Sequence, residues 1–237
     1  IILFEGISAI DGKTPIVAIA TGLKNPSSNG KIGARTIQVW YLLRDISPVD
    51  AVKTGEDHAV CGDCKHRPVN GGACYVITFQ APRAVWKAYH NGSYAHWDGD
   101  TSIFEGRTVR FGAWGDPASV PVGTFDDIRE ASKKVLAYTH QWEDHAFESL
   151  RSWAMASVDS VAERVRAKAS GFRTFRVRSA DEPIEDSERM CPSADESPIK
   201  AKMDCDRCNG CDGIRRGAKR PDYTIIAHGR GAASFSA

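Results

Sequence analysis

Apolar and β-branched residues gather in short runs along the chain, separated by polar or glycine-containing connections. Residues 1–24 read as two extended stretches around a turn at Asp11-Gly12-Lys13, with 15–20 as the second strand. Thr36-Ile37-Gln38-Val39-Trp40-Tyr41-Leu42-Leu43 is an almost unbroken β-branched and aromatic run, the pattern of a strand buried on both faces. Further strand patterns cover 108–112, 135–139, 154–158, 174–177 and 223–227, and 75–79 reads as a strand or a helix entry. Helical patterns lie between them. One spans 49–54, with Ser47 as N-cap and Pro48 at the first helical position. Another spans 82–91 and carries Val85, Trp86 and Tyr89; a third spans 125–134. The last spans 160–170, capped by Asp159 or Ser160 and ended by Gly171.

Strands and helices alternating at this pace predict βαβ units, hence a parallel sheet of about five or six strands. The expected fold is a single α/β domain over 1–237 with a parallel, barrel-like sheet, a full or partial TIM-type barrel. An open doubly wound sheet is the alternative. Within the domain, 1–35 is an N-terminal extended segment, 61–74 a first cysteine loop and 179–221 a C-terminal cysteine-rich insert. Residues 25–30 read as a loop, and 179–204, dominated by charged and small residues, as another. No internal repeat is visible.

Composition narrows the class. With 237 residues, 42% hydrophobic and 26% charged, the chain can bury a core without staples, and wholesale disorder is excluded. No apolar run is long enough for a transmembrane helix, and the start lacks the basic and apolar regions of a signal peptide, so a cytoplasmic location is expected. The missing initial Met suggests trimming or a fragment boundary. A net charge of +1 gives no global attraction to nucleic acid.

The cysteines carry the most specific signal. There are seven, an odd number, so a complete disulfide framework leaves one over. In a reducing compartment clustered thiols favour metal. Cys205-Asp206-Arg207-Cys208-Asn209-Gly210-Cys211 is C-x2-C-x2-C, with Cys191 upstream. Four thiolates suit an iron–sulfur cluster or structural zinc. Cys61, Cys64 and Cys74 form C-x2-C-x9-C with His66 inside the loop. Three readings stand: Cys3His structural zinc, a three-thiolate cluster with an iron position open to a small molecule, or unliganded cysteines.

Polar residues fall just past several strand patterns: Asp116, His140, Asp159 and His228. In parallel sheets, ligands bind at that edge. Each also has a simpler reading: a turn for Asp116, a helix cap for Asp159, local backbone partners for the histidines. No G-x-S-x-G, P-loop or H-E-x-x-H occurs. Arg215, Arg216, Lys219 and Arg220 follow the second cysteine group. They are a solvated basic loop or a contact to a nucleic-acid backbone. Of the tryptophans, mostly core candidates, Trp114 and Trp142 lie near the expected active edge and could stack a base.

Several stretches resemble an uncharacterised gene-product-88-like family of bacteriophages and mobile elements. They are Ser28-Asn29-Gly30-Lys31-Ile32-Gly33, Ala73-Cys74-Tyr75, the turn at 115–116, Ala137-Tyr138-Thr139, the turn at 157–160, Cys191-Pro192 and the C-x2-C-x2-C run. The pattern is in turn distantly similar to the radical S-adenosylmethionine barrels. There a three-cysteine loop after the first strand holds a 4Fe–4S cluster, an aromatic adjoins its last cysteine, and a Gly-Gly-Glu-Pro-like turn contacts the methionine amine. The resemblance thus implies metal ligation by Cys61, Cys64 and Cys74 and cofactor contacts from Tyr75, Gly115 and Asp116. It implies a second cluster at Cys191, Cys205, Cys208 and Cys211. Here C-x2-C-x9-C replaces the usual C-x3-C-x2-C, Trp114 stands at a glycine position and Asp116 at the glutamate position.

The leading expectation is therefore a phage or mobile-element metalloenzyme, iron–sulfur and radical S-adenosylmethionine-like, acting in nucleic-acid modification or metabolism. Asp116, His140, Asp159 and His228 are its candidate catalytic residues. The alternatives are a zinc-stabilised nucleic-acid-binding protein without catalysis and a zinc-containing DNA base-exchange enzyme using Asp116 or Asp159.

Overall fold

The strand Ile37–Leu43 (β3) is where the architecture changes direction. On one side it pairs antiparallel with Pro15–Thr21 (β2), itself antiparallel to Ile2–Ile7 (β1). On the other it pairs parallel with Thr108–Trp114 (β4). Parallel ladders then continue through Lys134–Thr139 (β5), Met155–Val158 (β6) and Thr174–Arg178 (β7) to Asp222–Ile226 (β9) and Glu188–Met190 (β8). The order in this nine-stranded sheet is β1-β2-β3-β4-β5-β6-β7-β9-β8. The computed structural model describes residues 1–24, 30–199, 203–214, 220–229 and 231–235.

A parallel pair needs a crossover, and helices supply most of them. Pro48–Thr54 (α1), His58–Cys61 (α2) and Ala81–His90 (α3) lie between β3 and β4; Asp126–Ala131 (α4) between β4 and β5; Val161–Ala169 (α5) between β6 and β7. Ser47 caps α1, accepting from the Asp50 amide at 3.2 Å, with Pro48 in the first turn and Gly55 left-handed at the C-cap. Ser160, not Asp159, caps α5, accepting from the Glu163 amide at 3.2 Å.

The pleat alternates side chains between two faces. Val109, Phe111, Val135, Ala137, Ala156 and Val158 point to the helix-covered face and join Ala51, Ile128, Leu150 and Ala167 in the main core. Each large apolar side chain buried there contributes about 1.5–3 kcal/mol, so this layer carries most of the stability. Their alternate neighbours Arg110, Gly112, Leu136, Tyr138, Ser157, Phe175 and Ile225 line a cavity on the opposite face. That leaves the second face free to hold a site.

The strand order is sequential from β1 to β7 and never reverses from the middle, so the sheet is not doubly wound. It is a mostly parallel α/β sheet, but the described strands run from β1 at one end to β8 at the other and do not close. It also has more parallel strands than the sequence pattern suggests, because β8 lies within the stretch read as a loop. β8 is too short for a hydrophobic signature, and ion pairs hold it. Arg176, fully buried on β7, makes two hydrogen bonds to Glu188, at 3.0 and 2.8 Å. Arg164 of α5 reaches Asp222 at 3.1 Å. Residues 75–79 form neither strand nor helix. Helix α4 is shorter than the pattern suggests, since Lys134 already belongs to β5. The loop expected at 25–30 falls mostly outside the described residues. No helix of the described residues is long and apolar enough to cross a membrane.

Candidate functional site

The cavity encloses about 270 Å³ and lies along the strands of the parallel sheet. At the carboxyl ends of β3 and β4 it meets the first cysteine loop, and Cys61, Cys64 and Cys74 all line it. At the amino ends it meets the second cysteine segment. There Thr108, opening β4, donates to Asp206 at 2.6 Å, and Lys134, opening β5, donates to the carbonyls of Asp206 and Cys208. Arg173, just before β7, donates to the carbonyls of Gly210 and Pro221 at 2.9 and 2.5 Å. Cys191 and Cys205 line this part of the cavity. All three cysteines of the first group and Cys191 and Cys205 of the second, more than a hundred residues apart in sequence, therefore open into one space, while Cys208 and Cys211 do not line it.

Each group is held by backbone geometry. Cys61 ends α2, and Gly62 follows with φ +54, where a Cβ would lie 2.2 Å from the Gln141 amide. The positive φ, more than the contact with the end of the Gln141 side chain, is what favours glycine here. Buried Asp57 binds Arg67 at 2.7 Å across the base of the loop. In the second group, Cys205 donates its amide to the Lys31 carbonyl at 2.9 Å, and Cys191 to the Thr224 carbonyl at 2.8 Å. Cys211 is buried against Leu136 and Met155.

Burial dominates the thiol electrostatics. It pushes Cys61 well above the ordinary thiol range and Cys74 up to about 11, with the neighbouring Cys64 adding to both. It pushes Cys191 up to about 11, with Cys205 and Cys208 adding, and Cys211 well above its usual value. Buried thiols that raise one another in this way resist ionisation until a cation compensates them. Among the described residues, however, no three His, Cys, Asp or Glu side chains converge closely enough to hold a single metal ion. A zinc–sulfur bond of about 2.3 Å places tetrahedral sulfurs ~3.8 Å apart. A cluster with several irons spreads its thiolates further than a single ion does.

Three of the four polar residues expected at the strand ends, Asp116, His140 and His228, line the cavity with the cysteines. Asp116 is buried and follows Gly115, whose φ is +83. Its oxygens accept from the Ala118 amide at 3.0 Å and the His140 amide at 2.7 Å. Asp116 is thus both the cap of the short 3-10 turn Pro117–Ser119 and a brace for the end of β5. His140 Nδ1 lies 3.5 Å from the Asp116 carboxylate. His140 Nε2 is buried with no hydrogen-bond partner in the described structure. Burial works against the His140 cation, but the Cys64 sulfur and the Asp116 carboxylate outweigh it and hold its pKa well above the usual imidazole value. His228 turns Nδ1 to the Ile226 carbonyl at 3.2 Å and stacks on Tyr75, ring centres 5.3 Å apart.

Asp159 is the exception. It lines a smaller adjoining cavity of about 80 Å³, together with His140, and binds His66 Nε2 at 2.8 Å. Its helix-capping reading fails because Ser160 takes that role, which leaves its carboxylate for His66.

Of the proposed nucleic-acid contacts, Arg215, Arg216 and Lys219 lie outside the described residues. Arg220 is held inward by Asp212 and by the Asn209 carbonyl at 2.9 Å. Trp142 is buried, donates to the Ser157 carbonyl at 3.0 Å and lies under Arg166. It is packed as a core residue, whereas Trp114 borders the cavity. The sequence reading missed Arg110, which faces the cavity and donates to Tyr75 Oη at 2.7 Å. The signal was present: a charge between Val109 and Phe111, in a strand otherwise apolar. Comparisons with family models, curated proteins and solved structures return no match.

Proposed function

We propose that this cavity is the active site of an iron–sulfur enzyme. In this reading Cys61, Cys64 and Cys74 hold a cluster with one position open to the cavity. Cys191, Cys205, Cys208 and Cys211 hold a second one or a structural metal. The mostly parallel sheet and the cysteine loop after its first parallel strand are compatible with a radical S-adenosylmethionine-like enzyme. A substrate small enough to enter, such as a nucleic-acid component, fits that reading. The observation that carries it is the shared cavity: thiols of the 61–74 loop face the same space as Asp116, His140 and His228. A bound cluster would supply one-electron chemistry. The chain itself would position substrate between the apolar strands and the strand-end polar groups, with His140 as a proton-carrying neighbour.

A second reading, structural zinc at Cys61, Cys64, Cys74 and His66, has one observation behind it. A metal-ligating histidine commonly sets its other nitrogen on a carboxylate, as His66 does on Asp159.

Anaerobic purification with iron, sulfide and zinc analysis tests the proposal. Broad absorbance near ~400 nm with iron and sulfide supports clusters on thiolates. A colourless protein with stoichiometric zinc overturns the proposal in favour of the second reading.

A further inference from the structure

Arg110 stands apart from the other arginines within the fold. Arg67, Arg164, Arg173 and Arg176 are each paired with a carboxylate, and Arg107 and Arg178 each donate to two or more backbone carbonyls. Arg110 points from the middle of β4 into the cavity, and among the described residues its one side-chain hydrogen bond is to Tyr75 Oη. A guanidinium carries five N–H donors in a planar fork. Arg110 lines the cavity beside an apolar wall formed by Leu136, Phe175, Val177 and Ile225. It is part-exposed, with the Cys205 thiol as a further electrostatic neighbour in the cavity, and a guanidinium so placed can still take an entering anion.

We propose that Arg110 is an oxyanion receptor, and that the cavity takes a small organic anion. Its carboxylate or phosphate would sit two-pronged on the Arg110 guanidinium, a geometry that fits either group. Its apolar or flat body would lie along Leu136, Phe175 and Ile225, reaching toward Asp116 and His140 at the carboxyl ends of the strands. Tyr75 positions the receptor: its hydroxyl accepts from Arg110, and its ring is held against His228. A free inorganic anion would leave the apolar wall uncovered, so the organic body is part of the recognition. The substrate role of this ligand rests on the cavity being the active site, but the binding itself does not require a metal.

The test uses the full chain as purified anaerobically. Benzoate and phenyl phosphate are the anionic probes and benzamide is the neutral one, followed by calorimetry and by the fluorescence of Trp114 at the cavity wall. At least one anion should bind tenfold or more tighter than benzamide. Arg110→Gln should abolish that preference, Arg110→Lys should keep part of it, and Tyr75→Phe should weaken it severalfold. Stronger binding of benzoate identifies a carboxylate ligand; stronger binding of phenyl phosphate identifies a phosphate ester. Equal binding of anions and benzamide, no binding of either anion, or unchanged preference in a folded Arg110→Gln protein would overturn the proposal. In the last case Arg110 would serve only the nearby Cys205 group. Metal content measured on the same samples separates these outcomes from failure of the cluster reading, since a zinc-containing or metal-free protein can still show the Arg110-dependent preference.

Discussion

His66 and Asp159 stand 93 residues apart in the chain and 2.8 Å apart in the fold. The contact ties the first cysteine loop to the end of β6. It forms because Ser160 takes the capping duty on α5 and frees the Asp159 carboxylate. Nearby, Lys65 of the same loop pairs with Glu163 of α5, so the loop is anchored twice to one helix start.

Replacing His66 with Ala separates the two metal readings. In the cluster reading the protein keeps its iron and its visible absorbance, and loses about 1–3 kcal/mol of stability through the unpaired, buried Asp159. In the zinc reading, metal affinity and folding fall together. Metal analysis alongside chemical denaturation reads both. Asp159→Asn should lose less stability than His66→Ala, because an amide can still meet the imidazole.

The two cysteine groups should behave as separate sites. Cys64→Ser should lower iron content without displacing the metal at the second group, and Cys208→Ser should do the reverse. Iron and zinc measured per chain in each variant check this. Loss of all metal in either single variant would mean that the two groups form one site.

Gly115→Ala should destabilise the protein by about 2–4 kcal/mol, combining left-handed strain with overpacking. Its added Cβ would meet Tyr41 Cβ at 2.7 Å and the Val60 carbonyl at 3.1 Å. Thermal denaturation gives the size of the effect. Any activity found should fall further than stability does, since Asp116 is the next residue.

Glu188→Ala should cost about 3–5 kcal/mol, since it removes the buried carboxylate shared by Arg176 and Arg164 and leaves Arg176, among the described residues, only Glu182 at 3.5 Å and the Pro183 carbonyl. The change should loosen β8 and, with it, the backbone that holds Cys191. Hydrogen exchange should therefore rise first in β8 and β9, while the β2 and β3 amides stay protected.

Sequence reasoning was strongest where local chemistry decides local structure. The Ser47-Pro48 helix start, the buried run of β3 and the strand-helix alternation from β4 to β7 follow from caps, turn residues and apolar periodicity. These signals act over a few residues, so they can be read without the fold. The division of the cysteines into two groups was equally plain, because it is a matter of spacing. Placing Asp116, His140 and His228 at one edge needed only the rule that ligands gather at the carboxyl ends of parallel strands.

Tertiary structure alone decided what these groups meet. Nothing near Asp159 in sequence marks His66 as its partner, and a competing serine at the next position determined which carboxylate was left over. β8 has three residues and depends on Glu188 finding Arg176 across the sheet, a long-range ion pair with no local pattern. The open strand order, rather than a closed barrel, depends on which strands come to lie at the two edges. The shared cavity arises the same way. The strand alternation sends Arg110, Tyr138 and Phe175 to one face, but only the packing of the second cysteine segment onto the amino ends of β4 and β5 brings Cys205 to the space that Cys61, Cys64 and Cys74 also line.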